Sequence, residues 1–124
     1  MNRVLIVDDD EAILRTMSEA LAARKVKADL AREGSEARRL CENNRYDVIM
    51  LDMKLPIADE QSFADTLRLR EPKPVIIGLT LFHDEYLTRV DGHLIPTYVQ
   101  KPFNPELLAD IAHGCLLEYQ RVAA

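Results

Sequence analysis

Three acids stand where apolar runs stop. Val4-Leu5-Ile6-Val7 runs into Asp8-Asp9-Asp10, and Val48-Ile49-Met50-Leu51 runs into Asp52. Short β-branched runs bounded by polar residues read as buried strands of a parallel sheet. Acids just past such strands share the carboxyl edge of the sheet, where open α/β folds keep their sites. Each pair of carboxylates about 4 Å apart would repel by ~4 kcal/mol at an effective dielectric of ~20. Asp8, Asp9 and Asp52 gathered there therefore call for a cation to bind or for chemistry on a carboxylate. Two further polar residues follow later strands: Thr80 after Val75–Leu79, and Lys101 after Thr97–Gln100.

The elements that would position these groups alternate along the chain. The pattern predicts strands over Arg3–Val7, Val26–Ala31, Asp47–Leu51, Val75–Leu79 and Thr97–Gln100, the second of them a partly exposed edge. Helices are expected from Asp10 to about Arg24, from Gly34, from Asp59 to about Arg70, and from His83 to about Val90. A last one runs from Asn104-Pro105-Glu106 to about Arg121. Ile13, Leu14, Met17 and Leu21 share one face of the first helix, and Ala37, Leu40 and Cys41 point inward from the second. Asn104 as cap, Pro105 in the first position and Glu106 in the first turn suit a helix start. Five strands alternating with five helices imply right-handed crossovers and a doubly wound α/β parallel sheet, with helices on both faces. The flavodoxin-like order 2-1-3-4-5 would put the first and third strands side by side and bring the three acids together.

Composition narrows the function. The chain has 124 residues, 48% hydrophobic and 30% charged, which reads as one globular domain over 1–124 with no linker, repeat or low-complexity segment. A net charge of -5 argues against general binding to nucleic acid or to an anionic membrane. Cys41 and Cys115 share no metal-ligand or CxxC spacing and read as free thiols in a reducing cytoplasm. No signal peptide or membrane span is evident, so a cytoplasmic location is expected.

Four segments together, VLIVDDDE (4–11), YDVIMLDMKLP (46–56), VIIGLT (75–80) and YVQKPF (98–103), are similar to the receiver domain of two-component response regulators. The resemblance covers the whole chain in order and is CheY-like. It implies a phosphorylation-dependent signalling switch without separate enzymatic turnover. Asp52 would be the phosphoacceptor, since carboxylates can form acyl phosphates. Asp8, Asp9, Asp52 and the backbone carbonyl of Lys54 would hold Mg²⁺ or Mn²⁺ through hard oxygen ligands. Lys101 would pair with Asp52 and then with the phosphoryl group, Thr80 would offer it a hydroxyl, and Tyr98 would turn inward as the readout. The implied partner is a histidine kinase or phosphotransfer protein; the output target is not written in the sequence, nor is whether the chain stands alone or is part of something longer.

Plainer readings stand beside these. Asp10 and Glu11 read as a helix cap and first-turn acid, Asp47 as the opening of its strand, and Lys54's side chain as solvated. His83, His93 and His113 lack ligand spacing and read as surface residues. Tyr98 is balanced between core aromatic and moving switch. Leu81 and Phe82 follow Thr80 where receivers usually carry a small residue, which implies a narrowed entry. Glu60 stands where they usually have glycine, and His93-Leu94-Ile95-Pro96 replaces a small-residue stretch before Tyr98, shortening the fourth helix. Two alternatives remain: a degenerate receiver acting as a protein-interaction module, and a haloacid-dehalogenase-like phosphatase. The phosphatase motif DxDx[TV] is met by Asp8 and Asp10 and missed at Ala12.

Overall fold

The computed structural model describes residues 4–52, 54, 74–80 and 97–123. Strands β1 (Val4–Val7), β2 (Ala28–Ala31), β3 (Val48–Asp52), β4 (Val75–Thr80) and β5 (Thr97–Gln100) form one parallel sheet in the order β2-β1-β3-β4-β5. The described helices are α1 (Glu11–Ala22), α2 (Gly34–Asn43) and a C-terminal helix (Pro105–Ala123). The architecture is the doubly wound, flavodoxin-like α/β fold expected from the alternating pattern. The expected helices from Asp59 and His83, together with Glu60, Leu81, Phe82 and the 93–96 stretch, lie outside the described residues. So do the side chains of Thr80 and Tyr98.

β1, and β3 as far as Leu51, are apolar at every position because both of their faces are covered. Val4, Ile6, Val48 and Met50 point to one face and pack with Leu14, Met17 and Leu21 of α1 and Leu108 and Ala112 of the C-terminal helix. Leu5, Val7, Ile49 and Leu51 point to the other and pack with Ala37 and Cys41 of α2. This two-sided burial turns what would be an alternating pattern into a continuous one. The edge strand β2 is only partly buried, and Tyr46 ties it to the loop before β3 by donating its hydroxyl to Asp29 Oδ2 at 2.5 Å. Burial and the Asp29 carboxylate push the Tyr46 phenol well above its ordinary range.

Helix ends follow local chemistry. Asp10 caps α1, its Oδ1 accepting from the amides of Ala12 at 2.9 Å and Ile13 at 3.4 Å. Asn104 does the same for the C-terminal helix, accepting from Glu106 at 2.9 Å and Leu107 at 3.3 Å. α1 is left through Lys25 at φ 62°, the left-handed conformation common after helices. Val26 N–H then bonds back to the Leu21 carbonyl at 3.0 Å, which delays β2 to Ala28 rather than the expected Val26.

Gly114 lies inside the C-terminal helix, and a Cβ built there meets nothing within 4 Å. Nothing in the described structure requires its freedom. Gly114→Ala should therefore raise stability by about 0.8 kcal/mol through helix propensity alone. A higher urea midpoint with unchanged slope would bear this out; an unchanged midpoint would refute it.

Candidate phosphoryl-accepting site

The sheet register builds the site. Val7 of β1 pairs with Leu51 of β3, so the residues that follow, Asp8 and Asp52, are brought abreast at the carboxyl edge. Asp52 is not past its strand but its last member, paired with Leu79 of β4, one residue before Thr80. β5 lies against β4 with Gln100 opposite Thr80, which delivers Lys101 to the same edge.

Asp8 is 0% exposed and Asp52 1%, while Asp9 is exposed. One carboxylate oxygen from each of the three lies within 4.8 Å of the others. Each buried acid has one oxygen fixed by a backbone amide two residues on. Asp8 Oδ1 accepts from Asp10 N–H at 2.9 Å, and Asp52 Oδ1 accepts from Lys54 N–H at 3.0 Å. The other oxygens face Lys101, whose Nζ is 2.9 Å from Asp8 Oδ2 and 3.4 Å from Asp52 Oδ2. Beyond these ion pairs, neither buried Oδ2 atom has a hydrogen-bond donor among the described residues. One ammonium thus serves two carboxylates.

The electrostatics reflect that shortage. Burial pushes the Asp8 carboxyl above its usual range, and the Asp52 charge adds to the push against the pull of Lys101 and the Asp10 amide. Burial alone would lower the Lys101 ammonium, but Asp8 and Asp52 outweigh it and hold it above its ordinary value. An all-oxygen donor set with two buried lone-pair sites left open suits a small hard divalent cation.

Of the residues singled out in the sequence, Asp8, Asp9, Asp52 and Lys101 are brought together. Lys54 contributes its amide to Asp52. Thr80 closes β4 and Tyr98 lies on β5 opposite Gly78, by backbone position. Asp10 turns away to cap α1, so the pairing of Asp8 with Asp10 that the phosphatase motif requires does not form. The amides of Asp10 and Lys54 add contacts that no sequence motif marks. Their signal is the tendency of Asp to bond the backbone two residues on, which any Asp in a turn shares.

Residues 4–113 match the family model of the response regulator receiver domain. The chain belongs to the response regulator receiver family. Among curated proteins, this receiver is 29% identical over 106 residues to the regulatory protein VanRB of Enterococcus faecalis. It is 36% identical over 106 residues to the transcriptional regulatory protein SrrA of Staphylococcus aureus. The matches cover 86% and 84% of this chain but 48% and 43% of those relatives, so the receiver spans about half their length.

Solved structures agree. The chemotaxis response regulator CheY4 of Vibrio cholerae superposes with TM-score 0.77 and 26% identity, over 93% of this receiver and 98% of that chain. The beryllofluoride-activated NtrC4 receiver domain dimer gives 0.79 and 28%, over 96% and 99%. No described helix of the receiver is long and apolar enough to cross a membrane.

Proposed function

We propose that the receiver is a phosphorylation-dependent switch loaded on Asp52 by a phosphohistidine of a histidine kinase or phosphotransfer protein. The observation that supports this best is the buried pair Asp8 and Asp52 sharing Lys101 with two acceptor oxygens left open. A carboxylate oxygen of Asp52 attacks phosphorus, the bond from phosphorus to the imidazole nitrogen breaks, and the ring leaves as neutral imidazole, keeping the proton already carried by its other nitrogen. Asp8, Asp9, Asp52 and the Lys54 carbonyl would hold Mg²⁺, which when bound neutralises charge on the phosphoryl oxygens. Lys101 supplies the second positive charge and stays with the phosphoryl group once Asp52 is an acyl phosphate.

Thr80 and Tyr98 carry the readout in this reading. They lie on neighbouring strands β4 and β5, so a contact of Thr80 with the phosphoryl group is felt one strand away. Such a switch shifts populations only by the difference in contacts between its two states. No turnover of a separate substrate is involved, the protein works in the cytoplasm, and its output lies in a protein partner or fused domain rather than in direct nucleic-acid binding.

The test is intact mass after incubation with Mg²⁺ and either acetyl phosphate or a phosphorylated histidine kinase. One added phosphoryl group, absent in Asp52→Asn, is the expected result. Absence of modification from both donors would leave a degenerate receiver that acts as an interaction module. Beryllofluoride with Mg²⁺ adds a donor-independent probe, since the NtrC4 receiver domain takes an activated form with it.

A further inference from the structure

We propose that Arg24 is a positioning residue for Lys101, holding the ammonium between Asp8 and Asp52 through the first turn of the C-terminal helix. The inference rests on the reading of the site given above. Arg24 lies two residues past α1, yet all three of its guanidinium nitrogens are engaged. Nε donates to Asp110 Oδ1 at 2.8 Å, one terminal nitrogen to the Ala20 carbonyl at 2.7 Å, and the other to the Glu106 carbonyl at 3.1 Å. That last nitrogen also pairs with Glu106 Oε2 at 3.1 Å and Asp110 Oδ1 at 2.8 Å.

Glu106 and Asp110 are mostly exposed, so the charge attraction is screened and adds little by itself. What the rigid fork contributes is geometry, locking the end of α1 to the start of the C-terminal helix. Between Glu106 and Lys101 the chain has few soft torsions. Pro102 and Pro105 have fixed φ, Phe103 packs on the core, and Asn104 is tied to the amides of Glu106 and Leu107. A displacement at Glu106 is therefore passed to Lys101 rather than absorbed. Lys101 Nζ lies 2.9 Å from one oxygen and 3.4 Å from the other, where a small displacement changes which carboxylate it favours.

The test reads Lys101 directly, before any phosphoryl chemistry. The ε-amines are acylated briefly in the folded, metal-free protein, and labelling of Lys101 relative to exposed Lys27 is measured by peptide mass spectrometry. Arg24→Ala should raise that ratio several-fold, and Arg24→Lys, which keeps the charge but loses the fork, should raise it less. Leu116→Ala, which loosens the same helix from the core, should leave the ratio at the wild-type value. A folded Arg24→Ala with the wild-type ratio, or a Leu116→Ala ratio raised equally, overturns the proposal. If Arg24→Ala does not fold, Asp110→Asn takes its place with the same expected rise and the same overturning result. Phosphorylation of Arg24→Ala by acetyl phosphate should be slower by roughly 10-fold or more, as expected for a misplaced catalytic group. Should the wild type never accept a phosphoryl group, the function assigned to Asp52 fails while the labelling result still decides the role of Arg24.

Discussion

Replacing Lys101 by methionine is expected to destabilise the metal-free protein by about 3 kcal/mol at neutral pH, because the change strips the counter-charge from two buried carboxylates. Asp8 and Asp52 are 0% and 1% exposed, and the described structure offers Lys101 Nζ to both Oδ2 atoms. Methionine keeps much of the apolar stem, so the loss reports charge rather than packing. Millimolar Mg²⁺ should restore most of it by supplying the missing positive charge. Urea unfolding in chelator and then in Mg²⁺ measures both effects; a loss below about 1 kcal/mol, or no recovery with Mg²⁺, would count against the arrangement. A pH signature accompanies it. The Lys101 ammonium is held above its ordinary value in the folded protein. Its contribution is therefore fully present below the unfolded lysine value and is lost as pH rises through the raised folded value. The wild type should shed stability in that alkaline window, and Lys101→Met should not.

Asp8→Asn is expected to act in the opposite direction, stabilising the metal-free protein by about 1 kcal/mol while removing most of its response to Mg²⁺. The substitution leaves Lys101 with one buried carboxylate instead of two. The oxygen of the introduced carboxamide can still accept the Asp10 amide that Asp8 Oδ1 accepts at 2.9 Å. Burial, with the Asp52 charge added, holds the Asp8 carboxyl above its usual range. The folded state thus binds that proton more tightly than the unfolded chain. Asp8's contribution to stability is fully present below its unfolded value and is lost as pH rises through the raised folded value. In chelator the wild type should lose stability from this group on going from roughly pH 4 toward neutrality, and Asp8→Asn should lack that component. Urea midpoints of the two proteins across the range decide it. A variant less stable than wild type at neutral pH would show that Asp8 is held in place by Lys101 more strongly than it is repelled by Asp52.

The sheet was legible because burial on both faces leaves an unbroken apolar run, as in Val4–Val7 and Val48–Leu51. Caps were legible because Asp10 and Asn104 act on amides only two and three residues away. What was not legible depends on distance or rotation. Asp52 reads as lying beyond its strand, since a buried acid breaks the apolar pattern; the Lys54 amide and the return of the chain at Lys101 make its place in the ladder tenable. Val26, apolar and β-branched, reads as the start of β2, yet its amide is spent on the Leu21 carbonyl. Arg24 looks like any basic residue near a helix end, and its partners Glu106 and Asp110 become neighbours only once α1 and the C-terminal helix pack. The gathering of Asp8, Asp9 and Asp52 followed from strand order and the pairing of Lys101 with Asp52 from the family resemblance, whereas the uneven sharing of one ammonium between two acids needed coordinates.

The bond from Lys54 N–H to Asp52 Oδ1 gives the molecule its own gauge. An amide proton aimed at a full carboxylate is strongly deshielded, and one aimed at an ester-like oxygen is less so, since charge-assisted bonds are the stronger. The nitrogen and proton resonances of Lys54 therefore track how much negative charge remains on Asp52, with no label added to the protein. A titration with any phosphoryl donor or mimic can be followed at that one cross-peak. A change of charge on Asp52 would thus reach the backbone directly at Lys54.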